Sequence, residues 1–138
     1  MCIRDRDLGT LSANTAGGVF GTLTDKSLTA GHTAMEVASR QQVHTGKASI
    51  LTNIAGDTVE EYGLEIMRVY PAGSEDTRDL MIKVTDPVLL AATGGIVQGM
   101  SGSPVLQDGK VVGAVTHVLV NDPTRGYGIL MERMLEMA

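Results

Sequence analysis

An all-β fold, built as an antiparallel barrel, is what this sequence predicts, and three observations carry the prediction. Short apolar stretches alternate with polar residues at strand period, and turn-forming residues recur about every ten positions. Glycine is abundant, at 17 of 138 residues, as a fold with many tight turns requires. Hydrophobic residues make up 43% and charged residues 20%, so one domain with a buried core is expected.

The elements follow in order. Met1-Cys2-Ile3-Arg4-Asp5-Arg6 fits nothing after it and resembles translated sequencing-adapter DNA. Residues 1–7 are therefore expected to be a non-native leader, residues 8–138 the domain, and the whole a fragment whose natural chain begins further upstream. Residues 18–23 read as a short strand after an Asn14-Thr15 turn, and residues 24–31 as a polar loop. Residues 43–54 alternate around Ala48, Ile50 and Ile54 and end in the turn Ala55-Gly56-Asp57. Residues 59–69 alternate less regularly, with Tyr62, Leu64, Ile66 and Met67 facing inward, and the two segments are expected to pair as a hairpin. Glu60 and Glu61 read as a solvated face. Residues 71–79 read as a polar loop and residues 80–84 as an apolar strand.

Asp86-Pro87 then starts a helix, with Asp86 as N-cap and Pro87 as first helical residue, and Gly94-Gly95 ends it. Val105-Leu106 and residues 111–120 form a hairpin across Gln107-Asp108-Gly109-Lys110. A loop over residues 121–126 leads to a strand over 127–131 and a terminal helical turn over 132–138.

Composition excludes several function classes. The net charge of −5, without a basic cluster, argues against nucleic acid and anionic membranes. Neither an apolar run of bilayer-spanning length nor a signal-peptide pattern is read here. Cys2 is the single cysteine, so no intrachain disulfide can form. The three histidines lack metal-ligand spacing, and neither metal nor cofactor is expected.

One stretch carries chemistry. Gly99-Met100-Ser101-Gly102-Ser103-Pro104 has the form G-x-S-G-x-P. Flanking glycines let successive N–H groups converge, and the amides of Gly99 and Ser101 would then make an oxyanion hole beside the Ser101 hydroxyl. Ser103 is the weaker nucleophile candidate. A Gly/Ser-rich turn between strands would look similar. A phosphate loop, which G-x-x-x-x-G-x-S over residues 94–101 would allow, is rejected because Met100 stands where the lysine is needed.

The longer run from Thr93 to Pro104, with Thr85-Asp86-Pro87 before it and Gly113-Ala114-Val115-Thr116-His117-Val118, Val120-Asn121-Asp122-Pro123 and Gly126-Tyr127-Gly128 after it, closely resembles the SpoIVB peptidase family of sporulation serine proteases. Asn14-Thr15 with Gly18-Val19-Phe20-Gly21, and Thr45-Gly46-Lys47-Ala48, also look like that family. The resemblance implies a trypsin-like double β-barrel, here incomplete and lacking its N-terminal part. It implies a serine endopeptidase that cleaves itself and membrane-associated regulatory proteins outside the cytoplasm, between the membranes of the developing spore. Membrane association would come through N-terminal segments not in this sequence.

The resemblance places the nucleophile on Ser101 and the histidine-orienting aspartate on Asp86; read without it, Asp86 is a helix cap. The family's histidine lies in a Gly-His pair upstream of the segment that matches Asn14-Thr15. Gly31-His32 offers such a pair, but on the wrong side of Gly21, which makes His32 a poor base. His44 reads as a surface residue at a strand start. Thr116 and His117, on the strand after the nucleophile, read as substrate-cleft residues, and His117 equally as a core or edge histidine. Met100 stands where many trypsin-like enzymes carry an aspartate that pairs with a new N-terminus, so activation by that ion pair is not expected. A second reading is a catalytically silent β-barrel that binds peptide or helps assemble a complex.

Overall fold

Strand-period burial closes the barrel. In the computed structural model, which describes residues 8–54, 56, 58–71 and 78–137, six antiparallel strands join in the order β3-β4-β5-β8-β7-β6. They are β3 (Gly46–Thr52), β4 (Glu60–Val69), β5 (Leu80–Val84), β6 (Pro104–Gln107), β7 (Lys110–Leu119) and β8 (Asp122–Leu130). Alternate residues point inward: Tyr62, Leu64 and Ile66 from β4 meet Leu80, Ile82 and Val84 from β5, all buried. Each such side chain stabilises the fold by about 1.5–3 kcal/mol relative to leaving it exposed. Closure also removes most of the unpaired strand edges that would otherwise invite other chains, leaving β7 beyond Val115 paired with β8 alone.

Two helices and a hairpin complete the described chain. Helix α1 (Pro87–Thr93) follows β5, and α2 (Met131–Met137) follows β8. Strands β1 (Gly9–Thr15) and β2 (Gly18–Leu23) pair only with each other, as a two-stranded sheet beside the barrel. Among the described residues, no helix is long and apolar enough to cross a membrane.

Several local expectations are corrected. Asn14 and Thr15 belong to β1, and the turn falls on Ala16-Gly17. The loop expected over residues 121–126 shrinks to a turn at Val120-Asn121, because β8 already begins at Asp122. Met67 is exposed: the pairing of β4 with β5 shifts between Ile66 and Arg68, so Met67 is the extra residue of a bulge and leaves the inward series. Residues 24–31 include a 3₁₀ turn at Lys26–Leu28. The proposed leader 1–7, Ala55 and Asp57 of the Ala55-Gly56-Asp57 turn, and residues 72–77 of the 71–79 loop lie outside the described residues.

Two buried polar side chains staple the flanking segments to the barrel. Asp79, read from sequence as the end of a polar loop, is only 1% exposed. Its carboxylate accepts from Arg133 Nη1 at 2.7 Å and from the Leu130 N–H at 3.0 Å, with Arg40 Nη2 at 3.8 Å. One carboxylate thus ties β5, β8, α2 and the β2–β3 connection together. Gln107, 4% exposed, accepts from the His44 N–H and donates to the carbonyls of His44 and Lys47. His44 itself is on the surface before β3, its Nε2 2.9 Å from Asp108 Oδ2 and its Nδ1 2.9 Å from the Thr45 carbonyl. With an oxygen facing each ring nitrogen the charged imidazole is favoured, and the hydrogen bonds to Thr45 and Asp108 raise its pKa.

Candidate active site

The stretch singled out in the sequence becomes a pinned turn between α1 and β6. Asp86 starts it: its Oδ1 accepts from the N–H groups of Val88 (2.9 Å) and Leu89 (3.3 Å), capping α1. Its Oδ2 accepts from the Gly63 N–H of β4 at 3.0 Å, and Gly63 O accepts from the Asp86 N–H in return. The bond from Gly63, followed by those from Val88 and Leu89, holds the carboxyl below its usual pKa against the opposing effect of burial. Helix α1 ends at Gly94, in the left-handed region with φ 75°.

Beyond α1 the chain runs against the β7–β8 turn. The Ile96 N–H donates to the Pro123 carbonyl at 2.7 Å, and a Cβ on Gly95 would lie 2.3 Å from that same oxygen. Only glycine permits this approach. Met100 then turns inward and is 4% exposed, a core residue directly before the serine. An apolar anchor therefore stands where the ion pair of many trypsin-like enzymes would be. Ser103 N–H donates to the Met100 carbonyl (3.0 Å) and Gly102 N–H to the Val115 carbonyl (2.7 Å), which fixes the far side of the turn on β7.

Ser101 stands exposed at the tip. Gly99, at φ 102°, takes a conformation that a side chain would strain, and this leaves its amide out of any ladder. Among the described residues neither the Gly99 nor the Ser101 N–H donates to another backbone group. Both residues line a cavity of about 610 Å³ together with Val97, Gln98 and the end of β3. Two donors without a backbone acceptor, on residues that line one cavity, are the raw material of an oxyanion hole.

The Ser101 hydroxyl donates to the Thr116 carbonyl at 3.2 Å. Thr116 is the extra residue of a bulge in β7, between Val115 and His117, and the bulge aims that carbonyl at the serine. Thr116, His117, Ser101 and Gly102 line a second cavity, of about 530 Å³, which the β1–β2 turn also lines. The His117 ring is exposed, with Nδ1 3.0 Å from Thr116 Oγ1. His32 lies exposed in the β2–β3 connection, its N–H donating to Thr29 O, and it lines neither cavity. No hydrogen bond joins any of the three histidines to Ser101 among the described residues. Asp86 lines neither cavity. Among the described residues no group of three or more His, Cys, Asp or Glu side chains could hold a metal ion.

Residues 1–135 match the profile of the SpoIVB peptidase S55 family. The chain belongs to that family. No curated protein matches it. Among solved structures, the active form of the Rv3671c protease from M. tuberculosis is similar, with TM-score 0.67 and 16% identity over 93% of this chain and 55% of that one. An inactive form of the M. tuberculosis H37Rv protein with a serine-to-alanine mutation gives 0.64, 16%, 93% and 62%. A further inactive form gives 0.63, 17%, 93% and 64%. The chain thus spans less than two thirds of the length of these structures, and at this identity the likeness is one of fold: a mostly β, trypsin-like architecture.

Within this S55 family member, three features of the site escaped the sequence. The Thr116 carbonyl, the Gly63 amide and the core position of Met100 depend on which strands become neighbours. The one sequence signal available was the apolar Met100 in an otherwise polar, glycine-rich turn.

Proposed function

We propose that this chain is the nucleophile-bearing part of a serine endopeptidase. The observation that carries the reading is the Ser101 turn: an exposed hydroxyl, two uncommitted amides and a cavity on either side, on a chain of a peptidase family. Ser101 Oγ would attack the scissile carbonyl as a base takes its proton. The Gly99 and Ser101 amides would hold the oxyanion, the amine would leave, and water would release the acyl group. For attack the serine must first give up its bond to the Thr116 carbonyl, at a cost of about 0.5–1.5 kcal/mol. Beyond Val115 the outer edge of β7 faces no strand of the barrel, so His117 to Leu119 offer an edge to an extended substrate.

Asp86 is the histidine-orienting group by resemblance. Its three amide bonds support a holding role, because they fix α1 to β4 and so place the serine turn. The finer reading, cleavage of an extracytoplasmic, membrane-associated regulator in endospore-formation signalling, is supported by the family alone. A second reading, a silent peptide-binding barrel, is favoured by one observation: among the described residues no histidine is hydrogen-bonded to Ser101.

An active-site-directed fluorophosphonate separates the two. The expected result is slow labelling of this chain at Ser101, none in Ser101→Ala, and no change in His32→Ala. Without a general base the rate should fall about 10²–10⁴-fold below that of the protein with its upstream segment restored. Equal rates, abolished by His32→Ala, would make His32 the base and overturn this account of the site.

A further inference from the structure

Opposite residues in an antiparallel ladder place their side chains on one face of the sheet, so strand register shows what the outside of the barrel carries. Arg68 of β4 pairs with Met81 of β5, Met81 with Tyr127 of β8, and Tyr127 with His117 of β7. The neighbouring row runs from Lys47 of β3 through Glu65 and Lys83 to Arg125. Both rows face outward, because the residues that alternate with them, Ile66, Ile82 and Gly126, are buried.

Aromatic rings gather cations on this face. The Arg68 guanidinium lies 4.9 Å from the centre of the Tyr70 ring and the Arg78 guanidinium 5.0 Å from that of Tyr127, and the two rings are 6.5 Å apart. Arg68 and Arg78 are both exposed. Stacking holds a guanidinium in one place, which lowers the ordering cost of pairing it with a carboxylate. Among the described residues the two rows and Arg78 supply five cations. Against them stand Glu65 and Asp122, the latter with its Oδ2 3.3 Å from Arg125 Nε. Glu75 and Asp76, which precede Arg78 in the sequence, lie outside the described residues. On a chain of net charge −5, this face is a local reversal of sign.

The face leads to the serine. His117 ends the first row and lines the cavity that Ser101 and Thr116 also line. A polypeptide laid along the β7 edge adds a strand to this same sheet, beside His117. Arg68 is three strand spacings from His117, roughly 14 Å, which about four or five extended residues span.

Resting on the serine-peptidase reading of Ser101, we propose that the outer face of β4, β5, β8 and β7 is a docking surface for an acidic segment of the polypeptide substrate. Arg68 and Arg78 hold that segment several residues away from the bond that Ser101 attacks, and neither touches a reacting atom. Charge complementarity selects a carboxylate-rich segment, and the strand edge at the end of the face selects polypeptide. Nucleic acid fits less well, because Glu65 and Asp122 interrupt the cations and the chain as a whole is acidic.

Two measurements on the full chain test this. The first is fluorescence anisotropy of a labelled peptide in which Asp and Glu alternate with Ser. It should bind at least about tenfold more tightly than its Asn/Gln counterpart, and more weakly as salt rises from about 0.05 to 0.5 M. Arg68→Gln with Arg78→Gln should weaken binding about tenfold, whereas Arg68→Lys with Arg78→Lys should retain most of it. Lys26→Gln with Lys110→Gln removes the same charge away from the face and should change binding less than about twofold. The second measurement times Ser101 labelling by a fluorophosphonate joined to the acidic peptide through a flexible linker. The acidic tail should speed labelling about tenfold over a neutral tail by raising effective concentration. The Arg68→Gln, Arg78→Gln pair should abolish that gain and leave labelling by untailed fluorophosphonate unchanged.

Equal binding of acidic and neutral peptides, or equal losses in the arginine and lysine pairs, overturns the proposal. So does acidic-peptide binding that leaves Ser101 labelling no faster, since the face then lies off the substrate's path. A single-stranded oligonucleotide that outcompetes the peptide makes this a nucleic-acid surface instead. Failure of every fluorophosphonate to label Ser101 rejects the peptidase reading, and the anisotropy series still decides whether the face takes acidic peptide.

Discussion

The barrel and the β1–β2 hairpin are both antiparallel sheet, yet they are held in opposite ways. Every barrel strand has a neighbour on each side and an apolar inner face. The hairpin has one neighbour per strand, and Leu11, Val19 and Leu23 are exposed on it. A two-stranded sheet alone is marginal in water. This one is fastened at its turn, where Gly17 packs on Met137 of α2 and Thr15 Oγ1 lies 4.0 Å from the Met137 sulfur. Ser101 is therefore placed by the closed barrel, and part of the lining of its second cavity by the two-stranded hairpin.

The sharpest way to break that comparison is a pair of truncations. Leu80→Ala, in the fully buried face of β5, should cost about 2–5 kcal/mol in urea unfolding. Leu11→Ala, at a site 76% exposed, should change the same midpoint by less than about 0.5 kcal/mol. Similar losses at both sites would mean that the hairpin is part of the same cooperative unit.

Legibility in the sequence followed the same division. Strand period exposed β4 through Tyr62, Leu64 and Ile66, and the Asp108-Gly109 pair marked the β6–β7 turn, where both residues take positive φ. Asp86-Pro87 gave the start of α1, and Gly94 its end. What periodicity could not give was anything set by non-local pairing. The bulges at Met67 and Thr116 arise from register between strands. Asp79 looked like a loop residue because its partners, Leu130 and Arg133, lie some fifty positions away. The serine motif was legible, but the rest of its cavity was not, since the β1–β2 turn and Ser101 come to line one cavity only through the fold.

A smaller effect separates the clamps by pH. Asp86 has its carboxyl pKa lowered below about 3.8, so the stability it contributes is present above that value and lost as pH falls through the folded-state pKa. His44 is raised above about 6.5, so its contribution is complete below that value and lost as pH rises through the folded-state pKa. Melting followed from pH 2 to 9 should show Asp86→Ala and Asp86→Asn flattening the acid limb alike, since both remove the titrating carboxyl, with Asp86→Asn the more stable at neutral pH because asparagine can still cap α1. His44→Gln should flatten only the neutral-to-alkaline limb. It should do so more weakly, because the pair with Asp108 is exposed to solvent. If His44→Gln altered the acid limb instead, the assignment of the two groups would have to be exchanged.

The Asp79 clamp also has a consequence for how the site comes into being. β5 must wait for β8 as a partner, and Asp79 must wait for the Leu130 amide and Arg133. Such long-range pairings make folding slow. On the ribosome, the Ser101 turn is synthesised well before residues 122–133 that close the barrel beneath it. An emerging chain thus carries the serine without its framework, and reactivity at Ser101 should arise late, as one event with barrel closure.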